Sequence, residues 1–152
     1  MCFWKNLAKF VGMKQSIDFL PERKQRDLHE LVGLIRNEVE DVVMIILYGS
    51  YARNTYVELD IRRDYGGGKI QYMSDYDILV VSKKRLGSRT VTVSSRVKSS
   101  FLKNKNANTQ TRPSIINESI TKFNNALSEG RYFYVDILTE GIVLYDSGEC
   151  QL

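Results

Sequence analysis

Seven consecutive residues, Val42-Val43-Met44-Ile45-Ile46-Leu47-Tyr48, carry no charge. A run of strand length and rich in β-branched side chains, with no polar face to give to water, has to be a strand covered on both sides. A second run, Ile78-Leu79-Val80-Val81, repeats the pattern after the acidic opening Ser74-Asp75-Tyr76-Asp77. Two such strands point to a sheet covered on both faces, a task helices perform where they alternate with the strands.

The flanking segments supply those helices. Behind Pro21, a natural first-turn residue, Leu28, Leu31, Val32, Ile35 and Val39 recur at three- and four-residue steps among charges, predicting an amphipathic helix over about 21–41. Val91–Leu102 reads as a second helix, and Ser119–Glu129 as a third, with Ile120, Phe123 and Leu127 on one face and Gly130 as its stop signal. Arg112–Glu118 reads as a short strand and Gly141–Tyr145 as the last one, with Arg131–Thr139 ambiguous between them. A short helix is expected from Tyr51. Alternation in Tyr56–Ile61 and Lys69–Tyr72 around Gly66-Gly67-Gly68 predicts a β-hairpin. The fold class expected is α/β (α+β): a small mixed β-sheet flanked by helices. Residues 1–20 are expected as an N-terminal extension and 21–152 as one domain with a hairpin-like insertion at about 54–74.

Charge and composition narrow the function. The 152 residues include 22 basic and 18 acidic side chains, a net of +4. Nine of the basic residues lie between Lys83 and Arg112, a stretch with no Asp or Glu, so the other 13 basic and 18 acidic residues net −5. One basic segment on an acidic background disfavours a uniformly basic nucleic-acid binder. A single histidine, His29, excludes a metal site built from several histidines, and Cys2 and Cys150 at opposite ends exclude a disulfide scaffold; a reducing, cytoplasmic setting is expected. Residues 1–12 carry Phe3, Trp4, Leu7, Phe10 and Val11 at helical spacing, expected as a terminal amphipathic helix, and no apolar run is long enough to span a membrane.

The residues that carry chemistry stand at the ends of the two apolar runs. Gly49-Ser50 closes the first, and a glycine there lets a ligand's phosphates approach the main chain. Unpaired N–H groups at the start of the helix beyond it, with the Ser50 hydroxyl, suit an anion. Asp75 and Asp77, two residues apart on a strand, present both carboxylates to one face, about 7 Å apart at the backbone. Like charges so placed repel unless a cation lies between them, and hard oxygen ligands suit Mg²⁺, which takes one or two carboxylates together with substrate phosphates. The composite is a metal–triphosphate site for phosphoryl or nucleotidyl transfer. Gly66-Gly67-Gly68-Lys69-Ile70 lacks the spacing of a P-loop and is turn chemistry.

The segments LYGSYAR and SDYDILVV resemble the two-part signature of the minimal nucleotidyltransferases of the DNA polymerase β superfamily: an apolar residue and Gly-Ser, a short spacer, then Asp-x-Asp and an apolar run. The resemblance covers roughly Val42 to Asp146, including GIVLYD as closing strand, and is narrower still to the domains paired with or fused to HEPN domains. The 24 residues between Ser50 and Asp75 exceed the family's usual spacing of about ten, and the surplus coincides with the hairpin; a surface insertion of this kind adds little closure entropy. The resemblance implies a two-metal Mg²⁺ site, ATP as the NTP, Arg53 beside the triphosphate, and transfer of AMP to a hydroxyl acceptor, in particular adenylylation of a HEPN toxin by an antitoxin. A small-molecule acceptor and a catalytically silent binding module are the other readings. The third carboxylate of the family falls on Glu118 if its strand runs antiparallel to that of Asp75 and Asp77, on Asp136, or on neither.

Overall fold

The structure is a computed structural model and describes residues 13–148. The first long helix, α1 (Glu22–Glu38), leads into β1 (Val42–Tyr48) and the five-residue α2 (Gly49–Arg53). The hairpin β2 (Asp60–Arg63) and β3 (Lys69–Tyr72) precedes β4 (Tyr76–Ser82); then come α3 (Arg89–Leu102), β5 (Pro113–Ser119), α4 (Ile120–Ser128), α5 (Tyr132–Glu140) and β6 (Ile142–Asp146). The ambiguous stretch after Gly130 is thus the helix α5. The amphipathic helix expected over residues 1–12 lies outside the described residues, as do Cys2 and Cys150.

Four strands form one mixed sheet in the order β5-β4-β1-β6. β1 and β4 are the central pair, antiparallel, and their side chains are buried almost without interruption, as continuous apolar strands require. Alternate residues serve two cores. Ile45 and Leu47 of β1 with Tyr76, Ile78 and Val80 of β4 face α1, α2 and α3 through Leu28, Leu31, Ile35, Tyr51, Val97 and Phe101. Met44, Ile46, Leu79 and Val81 face Phe123 and Leu127 of α4 and Ile137 and Leu138 of α5. Each such side chain buried is worth about 1.5–3 kcal/mol, so the two-faced central pair outweighs any single helix as the source of stability. The expected sheet flanked by helices is present. Residues 13–20 are built into it: Lys14 bridges Ile142 on the β6 edge, and Ile17 and Leu20 are buried in the first core.

Strand direction follows from the connections. β4 and β5 are joined through α3, a crossover that carries the chain back to its starting end, so β5 runs parallel to β4, with Tyr76 opposite Pro113 and Val81 opposite Glu118.

A buried polar network ties the first core to the start of β4. The Tyr76 hydroxyl donates to Asp27 Oδ2 at 2.7 Å, and Gln110 Nε2 donates to the same oxygen at 2.9 Å. Lys24, only 3% exposed, donates to Thr111 Oγ1 at 2.7 Å and lies against the rings of Tyr51 and Tyr76. Burial lowers the Lys24 pKa, opposed by Glu58 at 3.7 Å. An Asp27→Ala variant leaves the Tyr76 hydroxyl and the Gln110 amide without their acceptor, and is expected to destabilise by about 1–3 kcal/mol in urea unfolding; an unchanged midpoint would show that water replaces the carboxylate freely.

Candidate functional site

The β1–β4 register sets Tyr48 opposite Asp77, so the end of one central strand and the start of the other are neighbours. Gly49 follows at φ +73°, a left-handed conformation that costs glycine nothing. A Cβ built on Gly49 would collide with the Asp77 carboxylate, so the glycine is required twice: by its backbone angle and by the carboxylate lying against its Cα. Ser50 follows within α2, its hydroxyl without a hydrogen bond among the described residues. The Gly-Ser turn and the Asp-x-Asp strand, read from separate parts of the chain, meet in space.

The two acids differ in setting. Asp75 precedes β4 and is exposed; Asp77, inside the strand, is half-buried. Burial raises the Asp77 pKa, the Asp75 charge raises it further, and Arg53 partly offsets both. Its neighbour Tyr48 is pushed up to about 12 by burial and then by the Asp77 charge. The Tyr48 ring meets Phe133 of α5 edge to face at 5.8 Å, which closes the side of the site towards α5. Arg53, at the end of α2, donates to Glu140 Oε2 at 3.2 Å with both side chains about half exposed, so the pair is weakly held and the guanidinium can exchange partners.

Glu118 does not join them. Because β5 is parallel to β4, Glu118 sits opposite Val81, four residues or about 13 Å along the strand from the level of Asp77. It is buried at the far end of the sheet, where Oε2 accepts from the Tyr134 hydroxyl at 3.1 Å and Oε1 from the Ser119 N–H at 3.1 Å, with Lys122 at 3.9 Å. Glu118 therefore ties β5 to α5. The residue beside Asp77 on β5 is Ser114, and Asp136 is exposed on α5 rather than on a strand. Among the described residues, no group of three His, Cys, Asp or Glu side chains is placed to hold one metal ion. The strand–helix–strand order around α3 was the signal for the parallel direction, and it argues against an antiparallel β5.

The hairpin lies beside Asp75. Its root is fixed by Tyr56 stacked on Tyr51 at 4.2 Å, by the Val57–Ser74 pair of hydrogen bonds, and by Glu58 against Arg23 and Lys24. Beyond the root, both strands are almost wholly exposed.

No family model matches the chain, and no curated protein matches it. A solved structure from Sulfolobus solfataricus, described as a "putative nucleotidyltransferase", is similar over 84% of this chain and 87% of its own, at 16% identity and a TM-score of 0.44. No helix among the described residues is long and apolar enough to cross a membrane.

Two outcomes test this geometry. The raised Asp77 pKa means that the folded chain holds this proton more tightly than the unfolded chain; the stability it contributes is full below the ordinary carboxylate range and is lost as pH rises through the raised value. Asp77→Asn removes that loss, so its melting temperature should exceed the parent's by about 2 °C at pH 7, with the gain gone near pH 3. A variant equally stable at pH 7 would contradict the burial and repulsion assigned to Asp77. Glu118→Ala should destabilise by about 1–3 kcal/mol in denaturant, leaving divalent-cation affinity unchanged; a loss of affinity would return Glu118 to the site.

Proposed function

We propose that the chain is a Mg²⁺-dependent nucleotidyltransferase that passes NMP from an NTP, ATP by the resemblance, to a hydroxyl acceptor. The observation that carries this reading is the contact of the Asp77 carboxylate with the Cα of Gly49, which unites an acidic pair with a backbone turn open to phosphate. Asp75 and Asp77 fit a hard divalent ion: both donors are carboxylate oxygens, and the charge of Asp75 acts on Asp77 as a repulsion that a cation would relieve. When bound, such an ion supplies neutralisation of the phosphate oxygens and a lowered pKa at the acceptor hydroxyl.

The chain's own residues do the rest. Gly49 lets the Asp77 carboxylate lie against the turn, beside the place of the triphosphate, and the Ser50 hydroxyl offers the triphosphate a donor. Arg53 exchanges Glu140 for phosphate oxygen, which brings positive charge to the group being transferred. The acceptor oxygen forms its bond to the α-phosphorus as the bond to pyrophosphate breaks, and the acceptor proton leaves to solvent, since no third carboxylate stands beside the pair among the described residues. A second ion shared with Glu118 is not part of this scheme.

The resemblance supports a HEPN protein as acceptor, in an antitoxin role. Ser114 at the position beside Asp77 favours a second reading, a module that binds nucleotide and partner without transfer. Titration calorimetry with ATP is expected to show Mg²⁺-dependent binding that disappears when Asp75→Asn and Asp77→Asn are combined; binding unchanged in the double variant would overturn the site. Incubation with α-labelled ATP and a HEPN protein then separates the readings: label on the protein supports transfer, and stable association without label supports the silent module.

A further inference from the structure

A cavity of about 220 Å³ opens beside Asp75, between the β3 end of the hairpin and the loop ahead of β5. Its polar lining is Asp75, Gln71, Tyr72, Asn108, Gln110 and Arg112, completed by apolar groups of the same two segments. We propose that this cavity binds a nucleobase. The proposal deepens the transfer reading and rests on it for the identity of the reacting atoms next to the base.

Four observations carry it. The volume lies below the roughly 300–1,000 Å³ of cavities that enclose whole ligands, so it takes one ring system rather than a complete nucleotide. The lining holds one carboxylate and one guanidinium, so it is not an anion site, and too many polar groups for a lipid. Two carboxamides, those of Gln71 and Asn108, each offer both a donor and an acceptor, which suits the mixed edge of a base, and the ring of Tyr72, 59% exposed, offers a stacking face. Finally, one recognition group is pre-set: Gln110 Nε2 donates both to Asp27 Oδ2 at 2.9 Å and to Thr111 O at 3.2 Å, which uses both amide N–H groups and leaves its carbonyl oxygen as the group it can offer, an acceptor. Arg112 spends one N–H on Ala107 O at 3.3 Å and has others to give. The polar network behind Tyr76 thus orients the wall of the cavity as well as the strand of Asp75 and Asp77.

A nucleobase beside Asp75 has two sources, the NTP and the terminal residue of an acceptor strand. The test records side-chain amide NMR signals of Gln71, Asn108 and Gln110 in the full chain while AMP, GMP, CMP and UMP, or the corresponding six-residue homopolymeric RNAs, are added without metal. Saturable shifts of these signals are expected, with affinity weakened roughly tenfold in Tyr72→Ala through loss of stacking. Mononucleotides that bind as well as the RNAs assign the base to the NTP; tighter binding by the RNAs assigns it to an acceptor strand. The same shifts should persist in Asp77→Asn, whose carboxylate is not part of the lining, so failure of the metal site leaves the cavity's assignment standing. No shift with any of the eight probes, or shifts of equal affinity in a folded Tyr72→Ala protein, would overturn it.

Discussion

The antiparallel pairing of β1 with β4 is the constraint from which the rest follows. Both strands are apolar along almost their whole length, so each must be covered on two faces, and helices from before and after them are drawn onto opposite sides of the sheet. Their register places Tyr48 opposite Asp77. That single cross-strand neighbour brings the Gly49 turn against an acidic side chain, with no room between them for a Cβ. The stability of the sheet and the geometry of the site thus depend on the same ladder of hydrogen bonds.

The end of this ladder carries a cost in stability. Asp77 is half-buried and beside another carboxylate, and both raise its pKa, an arrangement that costs stability when the carboxylate is charged. Tyr76, between the two acids, points to the other face and anchors in a satisfied network through Asp27 and Gln110. The strand start is therefore held from one side by hydrogen bonds while two mutually repelling carboxylates lie on the other. The hairpin is rooted in the same region, through Tyr56 on Tyr51 and Glu58 near Lys24, so the insertion, the helix α1 and the acidic strand form one mechanical unit.

Much of this was legible in residue order. The apolar runs named the central strands and the turn glycines named the hairpin, because each rests on local periodicity or turn chemistry, and Gly-Ser and Asp-x-Asp, singled out separately, do lie side by side. Two features were not legible in this way. Lys24 and Asp27 are charged residues of an amphipathic helix, yet both are buried, because Thr111, Tyr76 and Gln110 reach them from segments far along the chain. Glu118 read as a companion of the acidic pair, and strand direction removed it.

The sequence by itself therefore determined which segments are strands and helices, and that a Gly-Ser turn and an acidic pair stand at strand ends. Tertiary structure alone decided which strand ends share an edge. Parallel addition of β5 through α3 carries Glu118 to the opposite end of the sheet and leaves Ser114 beside Asp77. A side chain's identity is local, but the company it keeps is set by strand direction and register, and one reversal of direction moves a carboxylate the length of a strand.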